Sequence, residues 1–236
     1  MKSKIKNLVK VITVFSVIFL IASCNKKDKR PKDADGYVYD TILIGDQVWM
    51  KENLRTSKYN DGDSIPSDKS VDWEYGTVGA YTIYKDPQYP DKVKNEAKYG
   101  KLYNWHAVNS GKLAPKGWHV ATRSDWDILD KFLGHLTACK KLKTTHSWDY
   151  FKDATGTDES GFSALPGGER SWGGDTFYDL GKGAYFWTSS MEALHKPTCV
   201  LYPTCVIISY ANPDNININV DYYKPNFGMS VRCVKD

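Results

Sequence analysis

Residues 122–136, TRSDWDILDKFLGHL, carry the one strong helix pattern in the sequence. Thr122 is a good N-cap, and Asp125 three residues later completes a start that resembles a capping box. The apolar residues fall on one face: Trp126, Leu129, Leu133 and Leu136, widened by Ile128 and Phe132. Gly134 weakens the end of the pattern. We therefore predict one principal helix near residues 122–137.

The segments on both sides of this helix are short and rich in β-formers. Residues 37–50 have the pattern of a hairpin that turns at Gly45-Asp46. Further strands are predicted at residues 79–84, 206–208, 215–220 and 229–234. Residues 216–220 alternate strictly, so that Asn217 and Asn219 share one face. The pattern predicts an α+β fold with many short antiparallel strands, loops and one main helix.

The N-terminus has the pattern of a bacterial lipoprotein signal. Four lysines and no acidic residue precede the apolar run 11–22. That run is well short of the roughly 20 residues that a membrane-spanning helix needs. It ends at Ala22-Ser23-Cys24, which resembles the bacterial lipobox. We expect residues 1–23 to be removed and Cys24 to carry the lipid; an ordinary signal peptide or an uncleaved anchor is the alternative.

Lipidation would determine where the protein works. Acyl chains on Cys24 would hold a soluble domain at a bilayer through their buried methylenes, so the expected partner is a membrane. The expected location is the outer membrane, with the domain facing the periplasm or the cell surface. Residues 24–35 contain charges and a proline but no core-forming residues, and are predicted to be a flexible tether. Residues 36–236 suit a single domain.

The formal charge of +4 does not describe the exported part of the chain. Residues 1–24 contribute four lysines, which leaves 28 basic and 28 acidic side chains after processing. The tether 25–35 holds five basic and three acidic residues, so the domain itself is about two units negative. The electrostatic basis for nucleic-acid binding is therefore missing, and no nucleic-acid partner is expected.

Four cysteines remain once Cys24 is lipidated: Cys139, Cys199, Cys205 and Cys233. An exported domain lies where disulfides persist, and four cysteines allow three pairings. We favour Cys199–Cys205, which are close in sequence, and Cys139–Cys233, which would join the main helix to the last strand; unpaired thiols are the alternative. A zinc site is not expected, because neither a CxxC motif nor a histidine pair at ligand spacing is present.

Several ordered blocks make the sequence similar to the Fibrobacter succinogenes major paralogous domain family, whose members are exported or lipid-anchored bacterial proteins. The blocks are IGDQVWM (44–50), ENL (52–54), YGKLYNW (99–105), GWHV (117–120), ESGFSALPGG (159–168), YFWTSS (185–190) and FGMSVRCV (227–234). Their order also resembles a C-type-lectin-like fold, in the branch that includes formylglycine-generating enzymes. This second likeness concerns the fold and does not carry a function.

The chain departs from the family pattern at two places. Ala114 stands where the family often has a cysteine, so the usual partner of Cys233 is missing and the Cys139–Cys233 pairing is in doubt. Residues 195–205, which contain Cys199 and Cys205, form an unusual segment between two strands that do match the family.

The residues give no clear signature of a catalytic site. The five histidines are scattered, and His119 between Trp118 and Val120 is interpreted as a structural histidine. Calcium is the one candidate ion, with Asp153, Asp158 and Glu159 as ligands, and residues 60–63 form a second acidic loop; both are equally typical of turns. No other cofactor is expected.

A glycan site would have to use aromatic and amide side chains. The sugar-binding signatures of lectins, Glu-Pro-Asn and Trp-Asn-Asp, are both absent. The predicted ligand-binding residues are Trp172, Asp175, Tyr178, Trp187, Asn217 and Asn219. The leading hypothesis is a non-enzymatic binding or adhesion module whose ligand is a glycan or a surface protein. The alternatives are an exported enzyme on a formylglycine-generating scaffold, with a cysteine redox or copper site, and a structural envelope component.

Overall fold

The computed structural model describes residues 30–85, 92–148, 156–193, 201–209, 217–219 and 223–236. Residues Pro31–Asp236 form one compact unit. The export signal, Cys24 and most of the tether lie outside the described residues, so the predictions about them stay predictions. No helix in the described ranges combines the length and the apolar content needed to cross a membrane.

The first sheet is built on the predicted N-terminal hairpin. Strands β1 (Thr41–Ile44) and β2 (Gln47–Met50) pair antiparallel, and Gly45 turns between them with φ of 59°. The sheet continues with β11 (Cys233–Lys235) and β5 (Trp118–Val120), in the order β1-β2-β11-β5. The end of the chain is therefore held between the first hairpin and the strand that leads to the main helix.

The second sheet has the order β10-β9-β8-β6-β7. Its strands are β6 (Gly167–Arg170), β7 (Phe177–Leu180), β8 (Gly183–Ala193), β9 (Leu201–Ser209) and β10 (Asn217–Asn219). Its pairings are antiparallel except that between β6 and β8, which is parallel. A separate short pair joins β3 (Tyr81–Thr82) to β4 (Leu102–Tyr103).

The strands predicted at 79–84 and 206–208 are confirmed, although the first is only two residues long. Of the strand predicted at 215–220, the described residues 217–219 form β10. The bounds predicted for the strand at 229–234 are wrong: β11 covers residues 233–235, because Met229 and Ser230 make single bridges to different segments instead of pairing with one strand.

The helices are short apart from the predicted one. They are α1 (Lys92–Tyr99), α2 (Trp105–Asn109), α3 (Arg123–Leu133) and α4 (Ala138–Leu142), with 3-10 turns at Asp68–Ser70 and His135–Thr137. Helix α3 starts with the expected capping box between Thr122 and Asp125, and Gly134 ends it in the left-handed region with φ of 88°. Short strands in separate sheets beside few helices make the fold α+β, as predicted.

The buried face of α3 is narrower than predicted. Trp126, Leu129 and Leu133 are buried, but Ile128, Phe132 and Leu136 are at least half exposed. Leu136 follows the helix end at Gly134 and so leaves the apolar face. The prediction that these three residues belong to the buried face is wrong, because only a narrow side of the helix packs against the core.

Most of the aromatic residues that the structure describes are buried in the core clusters or packed against them. Trp49, Trp126, Phe162 and Phe186 form one cluster with ring centroids 5.0–6.2 Å apart. A second cluster includes Tyr39, Tyr103, Trp105 and Trp187. The high aromatic content therefore reflects an irregular core first, and only the exposed rings remain for a ligand.

Arg232 is a buried cation at the centre of the domain. Its side chain is 1% exposed, and Nε donates to Asn53 Oδ1 at 2.7 Å. Nη1 donates to the carbonyl oxygens of Met50 and Phe162 at 3.0 and 2.8 Å, and Nη2 to that of Ser163 at 3.2 Å. Burial lowers the pKa of Arg232 to about 9, so the guanidinium is still protonated at neutral pH. One side chain thus joins three segments that are distant in sequence.

The predicted Cys139–Cys233 disulfide does not form. Both residues are thiols and fully buried. Successive residues of a strand point to opposite faces. On β11, Val234 accordingly packs in the cluster that contains Cys139, whereas Cys233 packs in the other cluster. Cys199 lies outside the described residues, so the Cys199–Cys205 pairing stays a prediction.

We expect Arg232→Met to lower the free energy of unfolding by about 3–5 kcal/mol, because it leaves buried carbonyl oxygens without donors. Urea unfolding followed by circular dichroism measures this change. Lys235→Met, at an exposed position on β11 three residues further along, is the matched control and should change stability by less than about 0.5 kcal/mol. A loss below about 1 kcal/mol for Arg232→Met would contradict the role given to the guanidinium.

Candidate functional site

Three of the predicted ligand-binding residues lie on the β6–β7 hairpin. Trp172 and Asp175 are in its turn, and Tyr178 is on β7 opposite Glu169. The turn is closed by a hydrogen bond from the backbone N–H of Ser171 to the carbonyl oxygen of Thr176, 2.9 Å. We call Trp172, Asp175 and Tyr178 the hairpin surface.

A lysine ties the hairpin to the preceding part of the chain. Lys85 Nζ lies 2.8 Å from Asp175 Oδ2 and 2.6 Å from Asp68 Oδ2. Thr82 Oγ1 also donates to Asp68, at 2.8 Å. Burial works to raise the pKa of Asp68, but hydrogen bonds from Lys85 and Thr82 hold it below its ordinary value. Asp68 therefore stays ionised and fixes the lysine that reaches Asp175.

Arg170 supports the base of the hairpin from inside. Its guanidinium carbon lies 4.3 Å from the ring centroid of Trp73, and its Nε is 3.8 Å from Asp175 Oδ1. The residue is buried, and the backbone N–H groups of Arg170 and Gly228 each donate to the other's carbonyl oxygen at 2.9 Å. Asp175 is thus oriented by two cations, one of which is packed against an aromatic ring.

The hairpin surface presents a carboxylate and aromatic rings to solvent. The side chain of Asp175 is 60% exposed, and Tyr178 is 50% exposed. Trp172 is half-buried, and Lys224 Nζ lies 3.2 Å from its ring centroid, which covers one face of the indole. A flat ring packs against the C–H face of a sugar or an apolar side chain, while a carboxylate accepts hydrogen bonds from hydroxyl groups.

Trp187 does not belong to this surface. It is fully buried, and its Nε1 donates to the carbonyl oxygen of Tyr103 at 2.8 Å. Its assignment as a ligand contact is wrong, because β8 directs it into the second core cluster. Asn217 and Asn219 pair through their backbones with Ile207 and Cys205, and their side chains are outside the described part of the structure.

The acidic loops are engaged in local contacts. Asp158 accepts hydrogen bonds from the backbone N–H and the hydroxyl of Ser163, both at 2.8 Å, while Glu159 is exposed. In the second loop, Asp61 pairs with Lys112 at 2.6 Å. Among the described residues no group of three His, Cys, Asp or Glu side chains could hold a metal ion. Asp153 lies outside these residues, so the calcium site stays a prediction.

His119 has the contacts of a structural histidine. Its Nδ1 lies 2.8 Å from Asp236 Oδ1 and its Nε2 3.1 Å from Asp125 Oδ2. Burial works to lower the pKa of His119, but the two carboxylates raise it above its ordinary value. The imidazole thereby joins Asp236 to the first turn of α3.

Glu169 is the titratable residue of the hairpin that the sequence did not indicate. It is 8% exposed, and its Oε2 has no hydrogen-bond partner among the described residues. Burial, assisted by the charge of Asp179, raises the pKa of Glu169 to about 8. Asp179 in turn accepts a hydrogen bond of 2.5 Å from Tyr185 Oη. A neutral carboxyl therefore lies opposite Tyr178 in the hairpin at neutral pH, and the β6–β7 pairing places it there.

The raised pKa of Glu169 predicts a pH-dependent stability. A glutamate in the unfolded chain titrates near 4.3, whereas this one titrates near 8 in the fold. Its contribution is complete below pH of about 4 and is lost as pH rises towards 8, because the unfolded chain releases a proton that the folded state keeps. We expect Glu169→Gln to remove this loss and to gain about 1–3 kcal/mol over wild type between pH 5 and 8.

Urea unfolding at several pH values measures this difference. Glu159→Gln, which changes an exposed glutamate nearby in sequence, is the control and should follow the wild-type pH dependence. Parallel curves for wild type and Glu169→Gln would show that the carboxyl of Glu169 is ionised in the folded state at neutral pH.

Comparison with known proteins identifies the family. The model of the Fibrobacter succinogenes major domain matches residues 42–235, which include both large sheets, helix α3 and the β6–β7 hairpin. Searches of curated proteins and of solved structures gave no match. Since the matched residues are most of the chain, the protein belongs to the Fibrobacter succinogenes major domain family.

Proposed function

We propose that the protein is a lipid-anchored binding or adhesion module of the bacterial cell envelope that contacts its ligand through the hairpin surface. The observation that supports this most is the combination of an exposed carboxylate and an exposed ring on a rigid base. Asp175 is oriented by Lys85 and Arg170, and Tyr178 is half exposed beside it on the same hairpin.

A rigid base favours binding because less conformational freedom is lost when the ligand arrives. The ion pairs between Lys85 and its two aspartates are short, and the Arg170–Trp73 stack is buried. A glycan fits the exposed groups, with its hydroxyls donating to Asp175 and its C–H face against Tyr178. A polar surface of a neighbouring protein is the second ligand class that this chemistry suits.

The proposed anchor is the lipid on Cys24, followed by a tether that lets the domain move away from the bilayer. The proposed location is the outer membrane, with the domain facing the periplasm or the cell surface. We also propose that the α+β domain has a C-type-lectin-like fold. The pairing of the N-terminal hairpin with the last strand and the Thr122-capped helix beside this sheet support that comparison.

An exported enzyme with a cysteine site is the less favoured alternative. Cys139, Cys205 and Cys233 are fully buried, and burial raises the pKa of the Cys233 thiol. A reactive thiol needs access and a lowered pKa, so these three residues are poor nucleophiles. The third candidate is a structural envelope component without a small ligand. It differs from the favoured proposal because it predicts no binding that depends on the hairpin surface.

We expect Tyr178→Ala and Asp175→Asn each to weaken binding by at least about tenfold, because each removes one of the two exposed contact groups. Binding to a glycan array covering acidic, neutral and amino sugars is the first measurement, followed by capture of envelope proteins on the immobilised domain. Phe132→Ala removes an aromatic of similar exposure on α3 and is the matched control. Equal binding by all three variants and wild type, or no binding to any glycan or envelope protein, would contradict the proposal.

Cys24→Ala should abolish labelling by radioactive palmitate and move the protein from the detergent phase to the aqueous phase, because the acyl chains provide the membrane affinity. Cys199→Ser is the control and should keep the label. Retained labelling in Cys24→Ala would overturn the proposed anchor without affecting the hairpin surface.

A further inference from the structure

Strand β1 forms one edge of the first sheet and exposes part of its backbone there. It is the first strand in the order β1-β2-β11-β5. Just before it, the backbone N–H of Lys51 donates to the carbonyl oxygen of Asp40 at 2.9 Å. Residues that bond to the partner strand alternate along an antiparallel pair. The N–H and C=O groups of Thr41 and Leu43 therefore point away from β2.

These four backbone groups have no hydrogen-bond partner in the part of the chain that the structure describes. The opposite edge of the sheet is covered, because Ser189 Oγ donates to the carbonyl oxygen of Val120 at 2.8 Å and Ser189 N–H to that of Ala121 at 3.1 Å. Edge strands usually carry a charge, a proline or a bulge that prevents further pairing. Strand β1, with the sequence TILI, has none of these, and Leu43 is 64% exposed.

A groove of about 310 Å³ lies beside this edge. Its apolar walls are Leu43 and Ile44 on β1 and Phe132 and Leu133 at the end of α3. Ile44 and Leu133 belong to the same core cluster, so the groove is on the face of the sheet that packs against α3. Side chains of a strand alternate between the two faces of a sheet. Every second side chain of a strand added beside β1 would therefore point towards the groove.

The unpaired backbone groups indicate what kind of partner this edge fits. Donors and acceptors spaced along a strand edge match the backbone of another extended segment. A bilayer would leave these groups without partners and would bring Lys141 and Glu159, which also line the groove, against hydrocarbon. A second folded copy is disfavoured, because a stable interface uses roughly 20–30 residues on each side whereas this edge offers four.

We propose that the edge of β1 binds an extended polypeptide segment with apolar side chains at alternate positions. The segment adds to the four-stranded sheet as a fifth strand, and its backbone pairs with Thr41 and Leu43. One of its apolar side chains occupies the groove between Ile44 and Phe132. The main-chain bonds provide affinity and the groove provides specificity. This edge lies in a different sheet from the hairpin surface, and the inference depends neither on that surface nor on the lipid anchor.

Fluorescence anisotropy with labelled heptapeptides tests the proposal on the purified full chain. The probes are Lys-Thr-X-Thr-X-Thr-Lys, where X is valine, leucine or phenylalanine, and the peptide with serine at X is the control. We expect at least one apolar probe to bind at least about tenfold more tightly than the serine peptide.

Backbone methylation of the probe tests the pairing itself. Two forms of the tightest probe carry N-methyl groups, one at the odd and one at the even positions. Only one alternating set of amides faces β1 in an added strand. We therefore expect the affinities of the two methylated forms to differ by at least about tenfold.

Leu43→Pro should weaken peptide binding by at least about tenfold, because proline removes the outward N–H without removing a bond to β2. Leu43→Thr keeps that N–H and is the matched control, with a loss of less than about threefold. Tyr178→Ala, on the hairpin surface, should not change peptide binding. Thermal melting checks that the variants fold, and the methylated peptides decide the question if the proline variant does not.

Four results would overturn the proposal. The first three are no binding of any probe at millimolar concentration, equal affinity of the two methylated forms, and equal loss in Leu43→Pro and Leu43→Thr. The fourth is a different occupant. A dimer in sedimentation velocity that Leu43→Pro removes would assign the edge to a second copy. Flotation of Cys24→Ala with phosphatidylcholine vesicles that a further Leu43→Thr change removes would assign it to a bilayer.

Discussion

The guanidinium of Arg232 lies where the segment after β2, the loop before β6 and the last strand meet. Its partners are backbone oxygens and the side chain of Asn53, which itself donates to Tyr99 O at 2.9 Å and to Ser230 Oγ at 3.1 Å. Buried oxygens without donors are costly, so these segments are stable only together. The loop before β6 contains little regular structure, and the arginine supplies hydrogen bonds that a strand would otherwise provide.

At the β6–β7 hairpin, cations likewise join segments that are distant in sequence. Arg170 stacks on Trp73 and faces Asp175, while Lys85 bridges Asp68 and Asp175. Cations paired with aromatic rings and backbone oxygens thus stabilise the irregular parts of a domain whose strands are short. The hairpin surface depends on this arrangement, since Lys85 and Arg170 both face Asp175.

Local sequence signals predicted the regular elements well. Thr122 and Asp125 predicted the start of α3 because capping depends on neighbouring residues alone, and Gly45 predicted the first hairpin for the same reason. The end of α3 was predicted too late, near residue 137, because Gly134 takes the left-handed conformation and ends the helix after Leu133. The face of α3 was predicted too wide, since the burial of Ile128 and Phe132 depends on what packs beside the helix. The Cys139–Cys233 pairing failed because neither residue reveals which side of the first sheet the other occupies.

The candidate site was predicted in part. Trp172, Asp175 and Tyr178 come together because they are close in sequence on one hairpin, whereas Trp187 carried the same aromatic signal and is buried. Glu169 and Lys85 meet their neighbours only through the pairing and packing of segments that the sequence pattern does not reveal. Composition alone does not distinguish an exposed aromatic ring from a core ring, or a paired charge from an unpaired one. That distinction requires the order of the strands in the sheets.

We infer that the contacts of Arg232 make its three segments one cooperative unit. Native-state hydrogen exchange tests it through the backbone N–H groups of Leu54, Ala164 and Ala121, which donate to the carbonyl oxygens of Val231, Leu142 and Arg232. We predict that these amides exchange with the same free energy of opening, equal to that of global unfolding. If Ala164 exchanges through a separate, lower-energy opening while Leu54 and Ala121 stay protected, the loop before β6 opens without the rest and the claim is contradicted.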